Sequence, residues 1–497
     1  MNALLLAVLL SAPGTSTDIT VRTGPVVGPD AIATAPVPAA RTPTVALNRV
    51  DATLNAAVAP IAIPAIGPEE MVGSIYAAML EDGLPSRSPA AAGMSAERLQ
   101  VIDRIVSRGI AEGGYPGASV IVGRKGYAVY QKGFGRLDWT EHSQVVTPTH
   151  SVYDLASLTK VMGATTAAMI LWDENRLRLD VPVSAYIPSF TGGQKSRVTV
   201  RQLLTHQSGL PAGRNIWRTA RTPADARRMV IESSLSYTPG TRTVYSDLGA
   251  DLLGFVVEAA AGEPLDQFLA KRVFGPLGMK NTMFRPADSL ASRIAPTEVS
   301  PPRGYRIRGE VHDENAFALG GVAGHAGLFG TAADLSVFAQ MMLNGGEYNG
   351  VRIASDSAVK LFTTRTSSGT RALGWDTADG QGGSGQFLSS QAYGHTGFTG
   401  TSMWIDPERG IFVILLTNRV HAPRARRPAQ VIMDVRHDLS DAAALAVIDE
   451  PELYHASLID FRSDIADGWS LAPLRELQGV TSPRGRAAAA ARGGSGR

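Results

Sequence analysis

"DLASLTK", residues 154–160, is the stretch on which the reading of this chain turns. It lies where a strand-rich segment gives way to an alanine-rich helical one, and it places Ser157 three residues before Lys160. If a helix begins at Ser157, Lys160 stands on the same face one turn on, its amine within reach of the hydroxyl. The free N–H groups and partial positive charge at a helix start favour an anion developing beside the serine oxygen. Such a pair is a candidate nucleophile and base. Spacing alone says little, because Ser357 and Lys360 repeat it in "ASDSAVKLF" (354–362), where a capping serine and a solvated lysine explain both.

Outward from this stretch the chain is organised by two hairpin patterns. "GASVIVGRKGYAVYQKGFG" (117–135) alternates around a glycine turn, and "TSMWIDPERGIFVILLTNR" (401–419) does so again far downstream. Between them the patterns are helical, as in "YSDLGADLLGFVVEAAAG" (245–262) and "TAADLSVFAQMMLNGG" (331–346). Strands at both ends with helices between predict an α+β fold, an antiparallel sheet built from both ends of the chain and flanked by helices. A helical lobe is expected over about 157–290, with Ser157 at its junction with the sheet. Ahead of the first hairpin, Ser95 caps a helix whose Leu99, Ile102, Val106 and Ile110 recur at helical spacing. A shorter helix is expected in "PEEMVGSIYAAMLEDG" (68–83).

Composition narrows the chemistry. The chain has 497 residues, a formal charge of +2 and no cysteine. Thiol nucleophiles, disulfides and thiolate metal sites are therefore excluded, and arginines scattered without a basic stripe imply no nucleic acid partner. Neither HExxH nor GxSxG occurs, which argues against a zinc protease and an α/β-hydrolase; no cofactor is implied. The apolar run "MNALLLAVLLSAPG" (1–14) is of signal-peptide length and too short to span a membrane, so a periplasmic or secreted protein is expected. The organisation expected is a signal segment and Ala/Pro/Thr-rich linker over 1–66, one domain over 67–450, and a tail over 451–497 with a disordered end. No transmembrane span is expected, and the oligomeric state stays open.

What separates Ser157 from Ser357 is company. Tyr245-Ser246-Asp247 opens a later helix, and "GHTGFTG" (394–400) leads into the second hairpin. With "LLTHQSGLP" (203–211) and "GHAGLFGTAADLSVFA" (324–339), this ordered set resembles the serine β-lactamase and penicillin-binding protein superfamily, in its class C β-lactamase-like branch. The likeness runs over about 95–450. It implies that Ser157 forms the acyl-enzyme, that Lys160 or Tyr245 takes the serine proton, and that the N–H groups of Ser157 and Phe398 bind the oxyanion. Thr396 and Gly397 would keep the strand open to substrate.

Two departures bear on the substrate. His395 replaces the lysine common in β-lactamases, so a fixed positive charge is missing unless the imidazole is protonated, at a pKa of about 6.5 if unperturbed. Asp247 replaces the usual asparagine, removing an amide donor and adding negative charge. Both count against β-lactam hydrolysis and favour a D-Ala-D-Ala-type peptidase or an esterase acting on a small-molecule or peptidoglycan-type peptide substrate. A β-lactamase, or a weakly acylating penicillin-binding sensor, is the alternative. His206 and Ser208 read as structural, and His325 as a loop or pocket-wall residue.

Overall fold

The two hairpins join in one antiparallel sheet, and the alternation of their side chains explains why. In the computed structural model, which describes residues 82–300, 302–366, 369–454 and 461–465, the sheet contains β1 (Gly117–Arg124), β2 (Tyr127–Gly135), β3 (Asp376–Thr377), β4 (Tyr393–Thr396), β5 (Ser402–Asp406) and β6 (Ile411–Thr417). Its order is β2-β1-β6-β5-β4-β3, with Ile121 opposite Ile414 where the two chain ends meet. Lys125 and Gly126, at φ +54° and +86°, make the tight turn of the first hairpin.

Every residue of β1 and β6 is buried, because the sheet is covered on both faces. Period-two alternation sends Phe412, Ile414 and Leu416 into a core shared with the helical lobe, while Ile411, Val413 and Leu415 enter a second core. That second core is closed by α1 (Val101–Ala111) and α5 (Pro428–Leu445), which pack on each other as well as on the sheet. Ser95 accepts a hydrogen bond from the Arg98 N–H at 3.2 Å, so the cap is as expected, although it starts a separate turn at Ala96–Leu99 that leads into α1.

The lobe between the hairpins is helical. Its α2 opens with a π-helical turn, Lys160–Thr165, and continues as Thr166–Asp173; it packs against α3 (Asp247–Ala261). The Ser246 hydroxyl caps α3 at the Gly249 N–H, and Gly262 at φ +72° ends it. Behind the sheet, α4 (Ala332–Leu343) packs on β1 and β6. Among the described residues no helix is long and apolar enough to cross a membrane. Beyond α5, the Asp438 carboxylate receives the N–H groups of Arg462 and Ser463 at 3.0 and 2.6 Å. The expectations for 1–66, for most of the helix at 68–83 and for the end of the tail fall outside the described residues.

Ile414 sits at the centre of the junction between the chain ends, fully buried. Ile414→Ala is expected to destabilise the fold by about 2–5 kcal/mol, measured by urea unfolding. A loss below about 1 kcal/mol would show that the shared sheet is not what holds the chain ends together.

Candidate active site

The turn before Ser157 is built under constraint. Ala156 has φ +47°, a left-handed conformation that costs an L-residue roughly 1–2 kcal/mol. Hydrogen bonds from all sides fix it: the Asp154 carboxylate accepts from the Ala156 N–H at 2.8 Å, Thr399 Oγ1 donates to the Asp154 carbonyl at 2.8 Å, and Thr401 Oγ1 donates to the Leu155 carbonyl at 3.0 Å. Gly397 permits the close approach, since a Cβ there would lie 2.6 Å from the Leu155 oxygen. Ser157 itself precedes the first helical residue, Leu158, so it stands at the helix mouth and not inside the helix.

Lys160 is buried beneath the serine. Its Nζ lies 2.9 Å from Ser157 Oγ, 2.7 Å from an Asp247 oxygen and 3.2 Å from the His325 carbonyl, and 4.7 Å from the centre of the Tyr245 ring. Burial opposes its charge, but Tyr245 and Asp247 outweigh burial and hold the ammonium above the usual lysine range. Lys160 is thus charged at neutral pH and donates to Ser157. The carbonyl that receives it is set by Gly324, which runs so close to α3 that a Cβ would meet the Ala250 oxygen at 2.0 Å. The His325 ring is then clasped between Asp251 (2.6 Å) and Asp313 (2.8 Å). Burial works against the imidazolium, yet the two carboxylates raise its pKa well above the usual value. His325 does line a cavity, as read from the sequence, and it is also a buried charge beside Lys160.

Ser157, Tyr245, His395, Thr396, Gly397 and Phe398 line one cavity of about 390 Å³. A second of about 350 Å³ adjoins it, shares Ser157, Tyr245 and Phe398, and is lined by Asp247, Asp313, Glu314 and His325. The Phe398 ring, 62% exposed, stacks on His312 and lies under the Arg419 guanidinium. Among the described residues, the N–H groups of Ser157 and Phe398 have no protein acceptor. Beyond Gly394 the β4 edge has no β3 partner, which leaves His395 and Thr396 facing the cavity. The other Ser-x-x-Lys pair is exposed on a surface helix, with Ser355 as its cap.

His395 departs from the sequence expectation. Its Nδ1 is 2.8 Å from the Thr396 carbonyl and therefore carries the proton, leaving Nε2 buried without a partner. Burial, with Arg371 and Lys160 nearby, pushes its pKa well below the usual range, so it stays neutral where a free histidine would begin to charge. His206, tilted against Tyr245 with ring centres 4.7 Å apart, is depressed for the same reasons and accepts the Ser246 N–H. The fixed charge comes from a residue that sequence reading missed. Arg371 is paired to Asp376 at 3.0 Å through Nε, lies over the Tyr245 ring, has Nη1 buried without a hydrogen-bond partner, and lines the cavity that Ser157 faces. Nothing in "TRALGWD" (370–376) announces it; only the folding of that loop over the β4 edge does. Among the described residues no group of His, Asp and Glu is arranged to hold a metal ion.

The β-lactamase family model matches residues 102–436. A protein of Escherichia coli (strain K12) provisionally named D-alanyl-D-alanine carboxypeptidase is 34% identical over 378 residues, 69% of this chain and 87% of that one. A penicillin-binding protein homologue from Caulobacter crescentus superposes at a TM-score of 0.57 with 21% identity, over 71% of this chain and 99% of that one. A class C β-lactamase does so at 0.55 with 18% identity, over 69% and 96%. Shared sheet, shared lobe and matched sequence lead to one conclusion: this chain belongs to the β-lactamase family and is a serine hydrolase of that fold.

Proposed function

We propose that the protein is a D-alanyl-D-alanine-type carboxypeptidase in which Ser157 is the nucleophile, acting in the periplasm or outside the cell. The observation that carries the reading is the Arg371 guanidinium on the wall of the cavity that Ser157 faces. A peptide cut at its last bond presents a free carboxylate one residue past the scissile carbonyl, and a guanidinium on the cavity wall, its side chain 15% exposed, is the partner such a group needs. The name of the Escherichia coli relative points the same way, and the apolar run at the N-terminus supports export.

Ser157 Oγ attacks the carbonyl carbon and forms an ester while the C–N bond breaks. Lys160 enters as an ammonium and cannot accept the serine proton, so Tyr245 takes it in the phenolate form that pairs with the ammonium beside it. Tyr245 passes the proton to the departing amine, and water then hydrolyses the ester and restores Ser157. The free N–H groups of Ser157 and Phe398 receive the oxyanion, each donor worth about 3 kcal/mol of barrier. Thr396 and Gly397 on the open strand edge carry the substrate backbone. A β-lactamase reading is no longer opposed by the missing lysine charge, because Arg371 restores it. Asp247 still opposes it, since a carboxylate held by Lys160 cannot donate as an amide does.

Incubation with a fluorescent penicillin or an aryl phosphonate should label Ser157, as located by mass spectrometry, and Ser157→Ala should lose both label and hydrolysis. Label at Ser357, or label that survives Ser157→Ala, would overturn the assignment.

The charge that reads the carboxylate sets the pH profile. Protonation of His395 is pushed below the usual histidine range, so no gain in carboxylate preference occurs as pH falls from about 8 to 6. The ratio of kcat/KM for a D-alanyl acid over its methyl ester is expected to stay flat across that window. Arg371→Ala should lower that ratio by about 10- to 100-fold. A ratio that climbs as pH falls through about 6.5 would return the role to His395.

A further inference from the structure

A third cavity borders the two that flank Ser157. Glu314, on the wall of the acidic one, also lines this third cavity of about 710 Å³, walled by Trp217, Arg218, Arg221, Arg303 and Phe317. Glu314 and Phe317 are three residues apart on the helix Glu314–Ala318, so the shared wall is about one helical turn wide. The three cavities are neighbours through shared walls: Ser157, Tyr245 and Phe398 line the first two, and Glu314 lines the second and the third.

This third cavity is built in advance. The Trp217 N–H donates to Asn315 Oδ1 at 3.2 Å and Asn315 Nδ2 donates to the Arg214 carbonyl at 2.7 Å, which ties the tryptophan turn to the helix. Arg303 donates to the carbonyls of Val311, His312 and Asp313, and its guanidinium lies 4.2 Å from the centre of the Phe317 ring. Phe317 is nonetheless 45% exposed, an unusual position for a large ring with a fixed surrounding. Arg218 lies over the Trp217 ring, and neither Arg218 nor Arg221 forms an ion pair among the described residues. Aromatic walls with two uncommitted guanidiniums suit a group that is apolar along its stem and anionic at its tip.

We infer that the acyl part of the substrate runs from Ser157 past Glu314 into this cavity, and that the residue it receives there is acidic, its carboxylate between Arg218 and Arg221 and its stem against Trp217 and Phe317. The inference rests on the carboxypeptidase reading, which assigns the Arg371 side to the leaving residue and so leaves this side to the acyl chain. The protein is then selective for longer acidic peptides ending in D-alanyl-D-alanine. Binding so far from the scissile bond would act through positioning of the carbonyl as well as through affinity.

The test compares acetyl-D-alanyl-D-alanine with longer peptides that carry glutamate, glutamine or lysine one, two or three residues upstream of the acylated one. Release of D-alanine is followed for wild type, Arg218→Ala/Arg221→Ala and Arg218→Glu/Arg221→Glu. Glutamate at one of these positions should raise wild-type kcat/KM about tenfold over glutamine, less so at high salt. The alanine pair should bring the ratio near one, and the glutamate pair should invert it in favour of lysine. Both arginines are exposed, so the variants fold as wild type does. Equal handling of glutamate and glutamine peptides at every position, or a preference that survives in both variants, overturns the inference while short-peptide cleavage keeps the carboxypeptidase reading. No release of D-alanine from any peptide overturns both.

Discussion

Asp154 is the residue on which the geometry around Ser157 depends. One carboxylate oxygen accepts the Ala156 N–H, the other accepts the His312 N–H at 2.7 Å, and the backbone carbonyl accepts the Thr399 hydroxyl. A single buried residue thus joins the strained turn before the serine, the loop that walls the acidic cavity, and the connection between β4 and β5. Backbone strain of this kind persists only where surrounding contacts over-determine it. Each buried polar group left unpaired would cost about 1–3 kcal/mol, comparable to the strain itself. The positions of the serine oxygen and of the Phe398 N–H are therefore set by one joint.

The second constraint is electrostatic. Lys160 is 3% exposed, and an isolated charge at such a site would lose its proton to escape the desolvation cost. It keeps the proton because Asp247 and Tyr245 surround it. His325 repeats the arrangement, one imidazolium between Asp251 and Asp313, and its carbonyl closes the two networks on each other. Buried pairs of this type add little net stability, but removal of one partner strands the other. The function they serve is a fixed pattern of charge at the serine, positive beneath the nucleophile and negative along the neighbouring wall.

Much of this was legible in the sequence, for identifiable reasons. Sheet pairing followed from alternation, because residues such as Ile414 and Val413 can be buried on both faces only if another hairpin and two layers of helix cover them. Ser157, Tyr245 and the stretch from His395 to Phe398 were legible because their order along the chain is a pattern. Arg371, Asp154 and His312 were not: each acts through a partner distant in sequence, and an arginine in a loop or an aspartate before a helix has no spacing that marks it. The protonation of His395 was misjudged from the same cause. Its pKa is set by burial and by Arg371 and Lys160, two cations that sequence order does not place beside it.

The fold determines the reaction class and leaves the substrate to residues around it. Here those residues divide by charge across the serine: three arginines against one aspartate on one side, and Asp154, Asp247, Asp313 and Glu314 against the His325 imidazolium on the other. Phe398 stands where the two meet, one ring in contact with His312 and with Arg419. Its backbone N–H points to the oxyanion role and its side chain to the partition between cavities. A substitution there that keeps the N–H but removes the ring would merge two oppositely charged cavities into one. Position 398 is therefore where the chemistry common to the family and the specificity of this chain are joined in a single residue.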